Sequence, residues 1–271
     1  MQRPFFMTLR KLATKCITQV QHAVGVNVMQ VLWQFRAGTI ALGAVALAAC
    51  GANAASYGTD EGVPLANLDR SGAAPTGIAL AGVDRVIVTS GAAYEINVSG
   101  DPEAVAALRF KIEDGTLEIG RKRGQSSGKA LVRVSLPRVQ GLALAGSGMI
   151  EARGIEDAAD IALAGSGTVK AMNVAARELS IAINGSGDVL AAGTARQLDI
   201  SIAGSGSAMM PQLRTEQGSV SIMGSGDAEF ASDGEVAASI AGSGNVTVRG
   251  AARCTLSKAG SGDLHCGPGR D

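Results

Sequence analysis

The chain has 271 residues, 37 of them glycine and only 3% aromatic, and its 24 basic and 24 acidic side chains cancel. Five of the basic residues and none of the acidic ones lie in residues 1–54, which leaves 19 basic against 24 acidic side chains in the remainder. A nucleic-acid-binding surface needs the opposite excess, so nucleic acid is not an expected partner. With so few aromatic rings, small aliphatic side chains must fill the core, which favours thin, regular layers.

Residues 1–54 are predicted to be a leader with a signal peptide, and Met29 is a possible true start. The apolar stretch Ala37–Ala49 has the length of a signal-peptide core and is too short for a comfortable membrane span. Its end, Leu47-Ala48-Ala49-Cys50, resembles the lipobox of bacterial lipoproteins, which would make Cys50 the lipidated first residue of the mature protein. The alternative is ordinary cleavage after Ala54, which would release a soluble secreted protein.

Residues 55–77 are rich in Gly, Ala, Pro and Asp, and this composition predicts a tether. Residues 78–140 are predicted to be β-rich and to form either the first, irregular coils of the body or its N-terminal cap. Alternating apolar residues predict strands here, at 86–88, 94–98, 108–112, 116–119 and 130–136. Asp114-Gly115, between the third and fourth of these, is a hairpin-turn signal.

A Gly-Ser-Gly triplet recurs seven times in residues 141–271, at spacings of 18 to 20 residues. Apolar residues alternate on both sides of each triplet, which predicts a strand, a corner and a second strand, followed by a variable stretch. One such unit cannot bury its apolar face alone, whereas stacked units share a continuous core. The sequence therefore predicts an all-β fold, a single-chain parallel β-helix or solenoid with coils of about 19 residues and Gly-Ser-Gly corners.

Stacked corners should align the triplet serines in a ladder. Glycine suits a sharp corner because the absence of Cβ permits unusual backbone angles and close stacking. We interpret the ladder mainly as a structural corner, and a serine-lined strip that meets a ligand is the alternative. Its members are Ser147, Ser166, Ser186, Ser205, Ser225, Ser243 and Ser261.

Several segments resemble the GIN-domain family, described as putative auto-transporter adhesin head domains. They are Gly82–Val88, Tyr94–Gly100, Leu108–Gly120 and the repeated units, above all Ile181-Ala182-Ile183-Asn184-Gly185-Ser186-Gly187. The resemblance covers about residues 78–266. It implies a β-helix-like fold on an exported bacterial envelope protein, and it supplies no catalytic residues.

The sequence contains few candidate residues for catalysis or cofactor binding. The carboxylates considered for glycosidic chemistry are Asp188, Asp227, Asp263, Glu151 and Glu229. Consecutive acids directly after triplets lie two coils apart, about 10 Å, which is near the upper limit for an inverting pair. The two histidines form no metal cluster, and the repeat period differs from that of calcium-binding nonapeptides. We therefore predict no enzyme activity, no cofactor and no metal site.

Cys254 and Cys266 occupy inward columns of the last coil, on opposite sides of one corner. In an oxidising envelope compartment they are expected to form a disulfide that closes the C-terminal end. Two buried free thiols are the alternative.

These features predict a non-catalytic cell-envelope protein, exported to the periplasm or the outer membrane and cell surface. It would be a lipid-anchored or secreted adhesin-like solenoid that presents a binding or structural surface. The expected partner is an envelope or cell-surface protein or glycan, and membrane contact is expected through the lipid anchor only. The alternative is a carbohydrate-binding or carbohydrate-active β-helix protein of the periplasm, although aromatic sugar platforms are scarce.

Overall fold

The computed structural model describes residues 62–122, 124 and 128–267, which form a parallel β-solenoid of about seven turns. The fold predicted from the repeat is confirmed. The described residues contain no helix of the length and apolar character needed to cross a bilayer. After a 3-10 helix at Leu65–Asn67, the elements are β1 Gly77–Gly82, β2 Arg85–Ser90, β3 Glu95–Gly100, α1 Pro102–Ala107, β4 Leu108–Glu113, β5 Thr116–Arg121, β6 Ala130–Leu136, β7 Val139–Gly146, β8 Met149–Gly165, β9 Thr168–Gly185, β10 Asp188–Gly204, β11 Ser207–Gly224, β12 Asp227–Gly242, β13 Asn245–Arg249, β14 Arg253–Gly260 and β15 Asp263–Gly267.

Successive coils pair in parallel and in register, so that equivalent residues stack in columns. Strands β8 to β12 are 16 to 18 residues long, and each runs from one Gly-Ser-Gly corner to the next. The variable stretch that was expected between two strands of each unit is therefore part of one continuous strand. Its irregularity is confined to local register shifts, such as the one between Leu190 and Ala192 where β10 pairs with β11.

The core is a set of apolar columns inside the solenoid. One column stacks Leu144, Leu163, Ile183, Ile202, Ile222 and Ile240, each at most 2% exposed. Burial of each such side chain is worth roughly 1.5–3 kcal/mol. Because every coil repeats the same inward positions, aliphatic residues fill this core without a central aromatic cluster.

One coil compensates a missing side chain with a large one. Gly218 stands in a column between Leu198 and Val236. A Cβ on Gly218 would lie 3.1 Å from Cε2 of Phe230, which reaches this space from the strand beyond the next corner. Phe230, which the alternation predicts to face inward, is fully buried. The two unusual residues thus restore close packing together.

Residues 78–140 contain a first coil and a set of antiparallel strands. Gly82 pairs with Gly146, so Gly82-Val83-Asp84 forms a first corner that keeps only the leading glycine of the triplet. Strand β3 pairs antiparallel with β6, and β4 with β5 through Asp114 and Gly115, both at positive φ. Val63 bridges Phe110 on β4, so the N-terminal edge is partly covered.

A buried ion pair holds this N-terminal end together. Asp84 is fully buried, and Arg121 donates from Nε to its Oδ2 at 2.7 Å and from Nη2 to its Oδ1. The amide of Ala130 also donates to Oδ1 at 2.8 Å, and Arg121 donates to the carbonyl of Gly128 at 3.1 Å. The first corner is thereby tied to β5 and β6.

Helix α1 was not predicted from the sequence. Oδ1 of Asp101 accepts from the amides of Glu103 at 2.9 Å and Ala104 at 3.2 Å, and Pro102 opens the helix. An aspartate before Pro-Glu is a recognisable helix start. The signal was present, but the helix is only six residues long and lies within a β-rich segment.

Candidate binding surface

The outward side chains that precede the Gly-Ser-Gly corners form two columns, which together we call the polar face. The first column contains Glu178, Gln197, Gln217, Glu235 and Arg253. The second contains Asp160, Ser180, Asp199, Ser219, Ala237 and Thr255. Because paired strands lie about 4.8 Å apart, the face presents carboxylate, amide and hydroxyl groups at that interval.

A groove of about 540 Å³ crosses the polar face from β10 to β14. Both columns line it, together with Gly218 and Val236. Gly218 belongs to the inward column of Leu198 and Val236, and Phe230 fills the space of its missing side chain inside the core. The volume lies within the range of small-ligand sites.

Several polar side chains in this groove are available to a ligand. Gln197 Nε2 donates to Asp199 Oδ2 at 3.0 Å. Among the described residues, the side chains of Gln217, Glu235 and Arg253 have no hydrogen bond or ion pair, although Glu235 and Arg253 are register neighbours. The groove can therefore donate and accept hydrogen bonds and offers both signs of charge.

Asp160 lies on the same face, four coils before Glu235. Burial raises the pKa of the Asp160 carboxyl, and the negative charge of Glu178 raises it further. The two carboxyl groups thus repel each other, and a hydrogen-bond donor or a cation placed between them would relieve the repulsion.

Four of the five carboxylates considered for glycosidic chemistry are engaged with neighbours, and Asp188 is exposed with no side-chain hydrogen bond or ion pair among the described residues. Glu151 accepts from Arg85 at 2.8 Å, and Glu229 accepts from Arg249 Nε at 2.6 Å. Asp227 accepts from the amide of Asn245 at 2.9 Å. Asp263 accepts from Lys258, which lowers the pKa of its carboxyl. Within the described residues, no group of three or more His, Cys, Asp or Glu side chains is placed to hold a metal ion.

The seven triplet serines lie on one exposed row along the corners. Each serine amide donates to the carbonyl of the first triplet glycine in the preceding coil, and Ser147 donates to Gly82 in the same way. The hydroxyl oxygens of Ser243 and Ser261 are 3.0 Å apart. The serine backbone thus has a structural task at the corner, and most of the hydroxyl groups face solvent.

The structure contains a disulfide between Cys254 and Cys266, whose Cα atoms are 6.3 Å apart. Cys254 is half-buried against the core, whereas Cys266 is exposed because the structure describes no further coil beside it. The predicted lipidation site, Cys50, lies outside the described residues.

Sequence reasoning missed the polar face and the groove. It followed the inward columns and the corners, and it did not compare the outward positions between them. A signal was present, because Gln197 and Gln217 stand at the same offset from their corners as Glu178 and Glu235. The groove itself becomes visible only when the coils are stacked, because its lining comes from four strands.

The comparisons with known proteins agree with the solenoid fold. The family described as "Putative auto-transporter adhesin, head GIN domain" matches residues 74–252. A solved putative adhesin from Bacteroides fragilis is similar with a TM-score of 0.62 and 20% identity, over 71% of this chain and 92% of that one. A putative adhesin from Parabacteroides distasonis is similar with a TM-score of 0.57 and 18% identity, over 72% and 93% of the two chains.

A further solved structure, a putative lipid binding protein from Parabacteroides distasonis, has a TM-score of 0.54 and 20% identity, over 71% of this chain and 92% of that one. No curated protein matches the chain. At these identities the solved structures establish the likeness of fold alone.

Proposed function

Because this chain belongs to the family described as putative auto-transporter adhesin, head GIN domain, we propose that it is a non-catalytic, adhesin-like protein of the bacterial cell envelope. Its solenoid would present the polar face to a partner outside the cytoplasm. The observation that carries this proposal is the groove on that face, where Gln217, Glu235 and Arg253 offer unpaired hydrogen-bonding groups. A rigid stack of coils holds these groups at fixed spacing, which lowers the entropic cost of binding.

The proposal is tested by attachment of intact cells to host or neighbour-cell surfaces. A deletion strain would be complemented with the wild-type gene or with the double variant Gln217→Ala/Arg253→Ala. The double variant is expected to attach like the deletion strain, because it removes two of the unpaired polar side chains that line the groove. Asp188→Ala is the matched control, since Asp188 is exposed beyond the corner and outside the groove. Equal attachment by the double variant and the wild type would contradict the proposed surface.

The finer part of the proposal is attachment to the membrane through lipid on Cys50. Intact-mass spectrometry of the protein from the membrane fraction is expected to give a chain that begins at Cys50 and carries acyl groups. Cys50→Ala should then move the protein from the membrane to the soluble fraction, because the anchor is lost. An unmodified wild-type chain that begins at Ala55 would contradict the anchor and would leave the adhesin proposal intact.

A second candidate function is binding of an extended glycan along the groove. Side chains that repeat at the coil spacing could contact successive sugar units, and Glu235 and Arg253 could each bond hydroxyl groups. Against this candidate, Phe230 and Phe110 are buried and cannot stack on a sugar ring. A glycan array probed with the wild type and with Gln217→Ala/Arg253→Ala decides the matter. Binding that the double variant loses would favour the glycan, and an array without binders would exclude the glycans it carries.

A further inference from the structure

The last described coil ends in two open strand edges. Strand β14 pairs with β12, and β15 pairs with β13, and neither has a partner on its other side within the described residues. The opposite end of the solenoid differs, because its edge strands β3 and β4 run antiparallel to their neighbours and Val63 bridges part of β4. An open edge exposes amide and carbonyl groups that can pair with a strand of another molecule.

Lys258 interrupts an apolar column at this open end. It is paired in register with Ile240, which continues the column of leucine and isoleucine residues described above. The nearby apolar side chains of the last coil are incompletely covered, since Leu256 is 38% exposed and Cys254 and Leu264 are half-buried. A lysine thus stands where six preceding coils place an aliphatic residue.

The charged end of Lys258 is held across the corner. Its Nζ donates to Asp263 Oδ1 at 3.0 Å and to the carbonyl of Gly262 at 3.2 Å, and its side chain remains 45% exposed. A further coil stacked on β14 would remove this ammonium group from water. Burial of such a charge is strongly unfavourable unless its pairing is excellent.

We infer that Lys258, held by Asp263, blocks the open edge of β14 against a second copy of this chain. The inference goes beyond the proposed function, because it concerns the end of the solenoid rather than the polar face. The occupant without the block would be a second copy placed tail to tail, because the other end is partly bridged by Val63 and presents antiparallel strands rather than a parallel coil. A two-fold axis would then pair β14 antiparallel with β14 of the second copy, which is a closed arrangement.

The test replaces Lys258 with methionine, which keeps the unbranched stem and removes the charge. Sedimentation velocity of the oxidised mature protein would be recorded over a wide range of concentration. The wild type is expected to be monomeric, and Lys258→Met is expected to self-associate at least about tenfold more tightly, the equivalent of ~1.4 kcal/mol. Lys258→Gln, which is also neutral, is expected to strengthen self-association as well. It controls for any effect of the methionine side chain itself.

Two further variants locate the association. Lys170→Met makes the same change on the flank of β9, away from the edge, and is expected to stay monomeric. Leu256→Lys in the Lys258→Met background returns a charge to β14 and is expected to restore the monomer. A monomeric Lys258→Met protein with a native circular dichroism spectrum would overturn the inference. It would also be overturned by equal association of Lys170→Met, or by a dimer that persists after Leu256→Lys.

Discussion

Replacement of Gly185 by alanine is expected to lower the free energy of unfolding by about 1–5 kcal/mol. Gly185 has a φ of +121°, and a side chain at such an angle costs about 1–3 kcal/mol. A Cβ there would also lie 2.5 Å from the carbonyl oxygen of Gly165 in the coil below, and overpacking costs about 1–3 kcal/mol more. That oxygen accepts the amide of Ser186, so it cannot move away without loss of a hydrogen bond. The lower backbone entropy of unfolded alanine offsets only about 0.4–1 kcal/mol.

The measurement is urea unfolding followed by circular dichroism, with Ser186→Ala as the matched control. Ser186 belongs to the same triplet, but its side chain is exposed, so its replacement should change stability by no more than about 0.5 kcal/mol. A large loss of stability in Gly185→Ala and a small one in Ser186→Ala would show that the corner requires the glycine backbone and not the serine side chain. Equal midpoints for both variants and the wild type would show that the stacked corners tolerate a Cβ.

Replacement of Asp84 by alanine is expected to lower the free energy of unfolding by about 3–5 kcal/mol, because it leaves a buried arginine without its carboxylate. The side chain of Asp84 is inaccessible to solvent and that of Arg121 is 8% exposed. The amide of Ala130 would lose its acceptor as well. We expect the loss of stability to be greatest at the N-terminal end, where hydrogen exchange of β5 and β6 would rise.

Glu151→Ala provides the comparison for this prediction. Its ion pair with Arg85 has a similar distance, 2.8 Å, but the two side chains are 26% and 50% exposed. Solvent screening limits such a pair to about 0–1 kcal/mol. If Asp84→Ala and Glu151→Ala had the same small effect in urea, the buried pair would not hold the N-terminal end together.

The repeating part of the fold could be predicted from the sequence because each of its rules is local and recurs. The alternation around Gly185 specifies which side chains face inward, and the same pattern in seven units specifies stacking. The hairpin at Asp114-Gly115 was predictable for the same reason, since a short signal determines a short turn.

The two ends of the solenoid and the candidate site could not be predicted in this way. The pair of Asp84 and Arg121 joins residues 37 positions apart, and no local pattern relates them. Gly82-Val83-Asp84 has lost two of the three triplet residues, so only its pairing with β7 identifies it as a corner. The groove is lined by residues of four stacked strands, β10, β11, β12 and β14. Each of these features is a property of neighbouring coils rather than of one segment.

The in-register corners also mean that the length of the solenoid depends on the number of its coils. Gly185 pairs with Gly204 as Gly165 pairs with Gly185, so the segment from Ser186 to Gly204 is an interchangeable unit. Unequal recombination within the gene could duplicate or delete such a unit and still leave every corner above another corner. Each event would lengthen or shorten the stack by about 4.8 Å and carry the groove outward or inward relative to the N-terminal end. Copy number, rather than point substitution, is then the simplest hereditary route to a longer or shorter solenoid.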